Sequence, residues 1–201
     1  MSSHYYSEKP TTEHNRHIHE QQLRGFKMQF VTDSGVFGKK GVDFGSRLLI
    51  ESMASDVGER LLDVGCGYGP IGLSLAKSFP TTTVWMIDIN ERAVALSQEN
   101  AALNHVDNVE IKQSDLFSAV PIAEKFNTIV TNPPIRAGKA VVHAIFEGAR
   151  ERILPGGSLW IVIQKKQGAP SALAKLESLF DEVEEVDKDK GFRIYRARVS
   201  L

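Results

Sequence analysis

Read as apolar and polar positions, the chain changes character near residue 60. Beyond it, short apolar runs alternate with segments whose apolar residues recur at helical spacing. The runs at 60–64, 82–87, 109–112, 126–131 and 158–163 predict strands. The run at 158–163 is almost wholly apolar, as in a strand buried on both faces. Helical spacing predicts helices at 71–78, 91–103, 141–154 and 171–180, with Asn90 as N-cap of the second. Pro155-Gly156-Gly157 reads as the stop after the third. Two closing strands, 182–186 and 193–199, lie close enough for an antiparallel hairpin. Strand–helix alternation predicts an α/β fold with a mostly parallel sheet, and ligands in such sheets sit outside the carboxyl ends of the strands. The first 20 residues or so are polar, and no element is assigned before residue 60.

Composition narrows the class. The 201 residues are 42% hydrophobic and 24% charged, which is globular and excludes a disordered, collagenous or coiled-coil chain. The 24 basic and 25 acidic residues give a net charge of −1, so no global field draws the protein to nucleic acid. One stretch departs from balance: residues 136–168 hold six basic and two acidic side chains, Arg136, Lys139, Lys165 and Lys166 among them. That stretch reads either as a solvated face or as a phosphate-contacting rim. The single cysteine, Cys66, excludes a disulfide scaffold and a multi-cysteine zinc site. His4, His14, His17 and His19 crowd the polar start, but no Cys or acidic partner stands at ligand spacing, so no metal is expected. The start has no apolar signal core and no run reaches bilayer-spanning length, so a cytoplasmic protein without membrane contact is expected.

The candidate chemistry falls at predicted strand ends. Asp63-Val64-Gly65-Cys66-Gly67-Tyr68-Gly69-Pro70 leaves the first strand and enters a helix. Its alternate glycines let the backbone turn sharply and let a ligand lie against it. Gly67-x-Gly69-x-x-Gly72 also matches the dinucleotide fingerprint. Against a pyrophosphate stand the charge of Asp63 and the N–H missing at Pro70; a cationic or zwitterionic ligand suits the loop better. Asp88 ends the second strand 23 residues after Gly65, near the offset at which a carboxylate meets ribose hydroxyls. Asp115 follows the third strand, where it reads as an acceptor for an adenine amine or as a turn aspartate. Asn132-Pro133-Pro134 ends the fourth. The prolines stiffen the turn, so the Asn132 amide and the Pro133 carbonyl offer two fixed acceptors to one NH₂ group. The plainer reading is a strand stopped by proline.

Together these motifs resemble those of the class I S-adenosylmethionine-dependent methyltransferases, in the branch whose Asn-Pro-Pro motif marks methylation of exocyclic or amide nitrogens. The stretch 32–46, with Phe37, Lys39, Lys40, Asp43 and Ser46, and the stretch 164–170 are similar to the RsmC-type ribosomal RNA guanine-N2 methyltransferases. The resemblance covers roughly residues 22–200. It implies a Rossmann-like fold: a seven-stranded, mostly parallel sheet, its last strand antiparallel, with helices on both faces. The division expected is a polar arm at 1–21 and one methyltransferase domain at 22–201. That domain comprises a substrate-side extension at 22–58 and a core at 59–201.

The same resemblance implies an enzyme using S-adenosylmethionine and releasing S-adenosylhomocysteine. Asp63 and the loop of Gly65, Cys66, Gly67 and Gly69 would hold the methionine part of the cofactor. Asp88, with Ile89 and Asn90, would take the ribose, and Asp115 with Leu116 the adenine. Asn132, Pro133 and Pro134 would form the catalytic motif, Asn132 also bordering the cofactor. The position after the prolines is often aromatic in this branch, and here it is Ile135, so Phe37 is the candidate to stack on the base. Longer relatives carry a further N-terminal domain. Here Phe37, Lys39, Lys40, Ile135, Arg136, Lys139 and Lys165 are the expected substrate contacts. The implied substrate is the guanine N2 amine of small-subunit (16S) ribosomal RNA, free or in an assembling subunit, with the enzyme acting as a monomer. Adenine-N6 and protein glutamine-N5 methylation share the motif. An NAD-dependent oxidoreductase and a non-catalytic cofactor-binding protein are the readings from other classes.

Overall fold

The computed structural model describes residues 6–53 and 55–201, so His4 lies outside the described residues. In chain order the strands and α-helices are β1 (His17–Leu23), β2 (Phe26–Thr32), α1 (Phe44–Ser52), β3 (Arg60–Val64), α2 (Pro70–Ser78), β4 (Thr83–Asp88), α3 (Glu91–Leu103), β5 (Val109–Gln113), β6 (Phe126–Thr131), α4 (Lys139–Arg152), β7 (Ile153–Gln164), α5 (Ala169–Leu179), β8 (Glu182–Asp189) and β9 (Phe192–Arg198). Seven strands form one sheet in the order β5-β4-β3-β6-β7-β9-β8, and β1 pairs with β2 in a separate ribbon. The pairs among β3 to β7 are parallel; β9 runs antiparallel to both its neighbours. This is the seven-stranded, mostly parallel α/β sheet with an antiparallel last strand that the sequence implied.

Side-chain alternation explains why the sheet is covered on both faces. In β3, Leu61 joins one apolar layer and Leu62 the other; in β4, Val84 and Met86 oppose Trp85 and Ile87. The first layer is completed by α1, α2, α3 and the inner face of β2, the second by α4 and α5. Burying each large apolar side chain contributes roughly 1.5–3 kcal/mol, so a strand that feeds both layers is held from both sides. The chain moves outward from β3 to β4 and β5, then returns to the far side of β3 as β6. Strand order reverses there, and such a reversal opens a crevice at the carboxyl ends of the strands.

The ribbon β1–β2 and helix α1 were not legible in the pattern. HIHEQQL is mostly polar, yet it pairs residue for residue from His17 opposite Thr32 to Leu23 opposite Phe26. Arg24 and Gly25 both take positive φ, the type I′ turn that suits a two-residue hairpin. The outer edge of β2 is closed by α3. Asn100 and Asn104, one helical turn apart, exchange hydrogen bonds of 2.7–3.0 Å with the backbone of Val31 and Gln29. The polar arm therefore ends in a strand.

Two boundaries also moved. Helix α4 stops at Arg152, and β7 begins at once at Ile153, pairing with Phe126. Pro155-Gly156-Gly157 is thus an irregularity inside β7 rather than a break before it, where the register with β6 shifts. The closing hairpin is longer than predicted: β8 and β9 run to a two-residue turn, Lys190-Gly191, again with both φ positive. Charged residues at 187–190 hid the extension, because β8 is an edge strand whose side chains mostly face water.

Candidate active site

The carboxyl ends of β3, β4 and β6 border a cleft of about 940 Å³, the solvent at its mouth included. Its floor is the loop after β3. The N–H groups of Gly65 and Cys66 donate to the Ile87 carbonyl at 2.8 and 2.9 Å, which fixes the loop to β4. Gly65 and Gly67 have φ of +74° and +57°, and a Cβ on either would project into open space. The loop presents bare backbone to whatever enters. Pro70 starts α2 at its first turn, as its missing N–H allows.

The two acids of the loop region differ in placement. Asp88 ends β4 on the cleft wall, its carboxylate accepting the Gly67 N–H at 2.8 Å and the Asn90 N–H at 2.9 Å. Burial raises its pKa, opposed by those N–H groups. A carboxylate has about four acceptor sites, so capacity remains for further donors. Asn90 caps α3 as predicted, accepting from the N–H groups of Arg92 and Ala93. Asp63 sits one residue before the end of β3, fully buried, and does not line the cleft. It lies under the loop, one oxygen accepting the Gly72 N–H at 2.9 Å, the other without a hydrogen-bond partner among the described residues. Burial pushes its carboxyl up to about 7. At neutral pH its charge is then only partial, which weakens the electrostatic argument drawn from it in the sequence. Asp115 is exposed and outside the lining, although its neighbours Ser114 and Leu116 line it. Burial likewise raises the Cys66 thiol, leaving Cys66 a small wall residue rather than a nucleophile.

Asn132, Pro133 and Pro134 form the wall at the end of β6. Helix α1 approaches from across the cleft and holds the amide. Asn132 Nδ2 donates to Ser46 Oγ at 2.9 Å and stands 3.5 Å from Asp43 Oδ2. Asp43 is also the N-cap of α1, accepting the Ser46 N–H at 3.0 Å. With Nδ2 committed to α1, Oδ1 is left as the acceptor of the amide among the described residues. The Pro133 carbonyl accepts the Ile135 N–H at 2.9 Å, so one of its two lone pairs is already engaged.

The methyltransferase small domain family matches residues 27–196. The chain belongs to that family. It is 61% identical over 199 residues to the uncharacterized protein YbxB of Bacillus subtilis, covering 98% of this chain and 99% of that one. It is 36% identical to the Ribosomal RNA small subunit methyltransferase C of Aeromonas hydrophila, over 82% of this chain and 47% of that protein. Among solved structures, a Thermus thermophilus 16S rRNA N2 G1207 methyltransferase (RsmC), in complex with AdoMet and guanosine, is similar with a TM-score of 0.80 and 26% identity. That similarity covers 92% of this chain and 50% of the other. The chain thus spans nearly all of the Bacillus relative and about half of the named methyltransferases it matches.

In this small methyltransferase domain the expected substrate contacts separate into two sets. Phe37 lines the cleft and is 46% exposed. Lys39, Lys40, Arg136, Lys139 and Lys165 are exposed and stand outside the lining. Lys39 lies in the loop before α1, its carbonyl accepting from Thr32 Oγ1. Arg136 is in the 3-10 turn Ile135–Ala137 after β6, Lys139 begins α4, and Lys165 follows β7. Those three therefore share the carboxyl end of the sheet with the cleft. Ile135 is half-buried against the layer under α4 and α5 and stands outside the lining. Two histidines of the arm are engaged elsewhere: His14 pairs with Asp33, and His19 Nε2 lies 3.1 Å from the Lys39 carbonyl. No cluster with metal-ligand geometry occurs among the described residues. Sequence reasoning missed Tyr6, Val36, Asp43, Ser46 and Tyr68 on the cleft wall. Of these only Asp43-x-x-Ser46 carried a signal, the spacing of an N-cap.

Proposed function

We propose that this chain transfers a methyl group from S-adenosylmethionine to the exocyclic N2 amine of a guanine in small-subunit ribosomal RNA. The observation that carries the reading is the committed Asn132 amide. With its Nδ2 held by Ser46 of α1 and the N-cap Asp43, the amide presents a fixed acceptor oxygen, which selects a donor, and an exocyclic amine is a donor. The cofactor fits the residues present: the Gly65 and Gly67 backbone leaves room that any side chain would fill, and Asp88 ends β4 with acceptor capacity to spare. The unpartnered oxygen of Asp63 lies beneath the loop as a buried hydrogen-bond acceptor that supports the loop's backbone side rather than the cleft wall. The guanosine and AdoMet held by the T. thermophilus relative support the same pairing of ligands.

The cofactor supplies, when bound, a methyl group on a positively charged sulfur. The protein's part is alignment and exclusion of water. Asn132 Oδ1 and the remaining lone pair of the Pro133 carbonyl accept the two amine hydrogens. This turns the nitrogen lone pair toward the methyl carbon. With the amine held so, Asn132 and Pro133 would orient it, and the bound cofactor would supply the methyl group, the amine proton leaving to solvent. Phe37 offers an aromatic face to a base taken out of its stack.

The test is nucleoside mass spectrometry of ribosomal RNA after incubation with the enzyme and its methyl donor. N2-methylguanosine is expected, with Asn132→Ala slowing its formation at least 100-fold while binding S-adenosylhomocysteine as before. N6-methyladenosine, or a methylated protein glutamine with unmodified RNA, would replace this reading with one of its rivals.

A further inference from the structure

Residues 6–12 precede the stretch that the family matches, yet the first of them, Tyr6, reaches the cleft. Half-buried Tyr6 lines it, together with Ile89 and Leu116, the residues following Asp88 and Asp115. Burial, with the charges of Asp115 and Asp88, raises its phenol pKa and keeps the O–H protonated.

The segment behind Tyr6 is fastened at several points. The Glu91 N–H, at the start of α3, donates to the Glu8 carbonyl at 2.9 Å. The Arg92 guanidinium reaches the Thr12 carbonyl at 2.9 Å and the Ser34 carbonyl at 2.7 Å. Pro10 rests on Gly35, where an added Cβ would meet it at 2.8 Å. Asp33 accepts the Asn15 N–H at 2.6 Å. The Glu91 and Arg92 anchors stand at the start of α3, next to Asp88 at the end of β4, and the Gly35 and Asp33 contacts are on the loop after β2.

We propose that the segment 6–12 is part of the cofactor site and that the Tyr6 ring forms one wall of its adenosine half, opposite Ile89 and Leu116. The inference rests on the reading that the cleft takes S-adenosylmethionine. An aromatic face against a purine is stabilising, and its loss weakens binding on the order of tenfold.

Calorimetric titration of the full chain tests it with two probes, S-adenosylhomocysteine and 5′-methylthioadenosine, which lacks the amino-acid part. Tyr6→Ala is expected to weaken both by a similar factor, about tenfold, with an unchanged melting temperature. Tyr6→Phe keeps the ring and is expected to stay within about threefold of the parent. Unchanged affinity in Tyr6→Ala would overturn the proposal, and so would tighter binding, which would mean that the ring obstructs the site. A loss seen with S-adenosylhomocysteine alone would move Tyr6 off the adenosine half and overturn the placement. If the parent chain binds neither probe, the cofactor reading itself fails and the inference falls with it.

Discussion

Asp63 shows what burial does to a single residue. Its carboxyl ordinarily titrates near 3.8 and in the fold is pushed up to about 7. Below pH 4 it is protonated in both the folded and unfolded chain. Between 4 and 7 the folded chain binds the extra proton, so this group's contribution to stability falls as pH rises through 7. The full difference is worth up to about 4 kcal/mol. Asp63→Asn carries no charge at any pH. The melting temperature of the parent relative to Asp63→Asn is therefore expected to drop by several degrees from pH 4 to pH 8 without cofactor. A constant difference across that range would mean the Asp63 carboxyl is not raised. Residues whose placement depends on their own strand were legible: Gly65, Gly67, Asp88 and Asn132 all reach the cleft because a strand end and a tight turn put them there. Tyr6 and Ser46 were not, because they arrive from segments distant in the chain.

At the scale of elements, α1 matters more for the site than for the core. Its first turn joins two tasks, capping its own N-terminus through Asp43 and holding the Asn132 amide through Ser46 and Asp43. Ser46→Ala leaves the cap intact and removes one acceptor, so turnover is expected to fall about tenfold with cofactor affinity and melting temperature nearly unchanged. Asp43→Ala removes both roles. It is expected to lower turnover further and to cost about 1 kcal/mol of stability, a few degrees of melting temperature. Unaltered turnover in both variants would show that α1 does not orient the amide. The strongly periodic elements beyond residue 60 were readable because burial on two faces forces an apolar pattern. β1, β8 and the start of β7 were not, since an exposed ribbon, an edge strand and a glycine irregularity place little demand on side-chain polarity.

At the scale of the whole molecule, topology makes the site. The reversal between β3 and β6 opens the crevice, the two apolar layers hold the strands that border it, and α1 with the N-terminal segment closes it from the amino-terminal side. The basic residues after β6 and β7 ring the same end of the sheet on a chain whose net charge is −1. A near-neutral chain gathers little free nucleic acid by charge alone, so under the proposed function shape and the cleft would carry the selection. The most direct test of this account is calorimetric titration of the purified chain with S-adenosylhomocysteine and, in parallel, with NAD⁺. Micromolar binding of S-adenosylhomocysteine and none of NAD⁺ is expected. Binding of NAD⁺ alone would contradict the reading of the glycine loop, and with it the assignment of Asp88, Asn132 and Tyr6 to a methyl-transfer site.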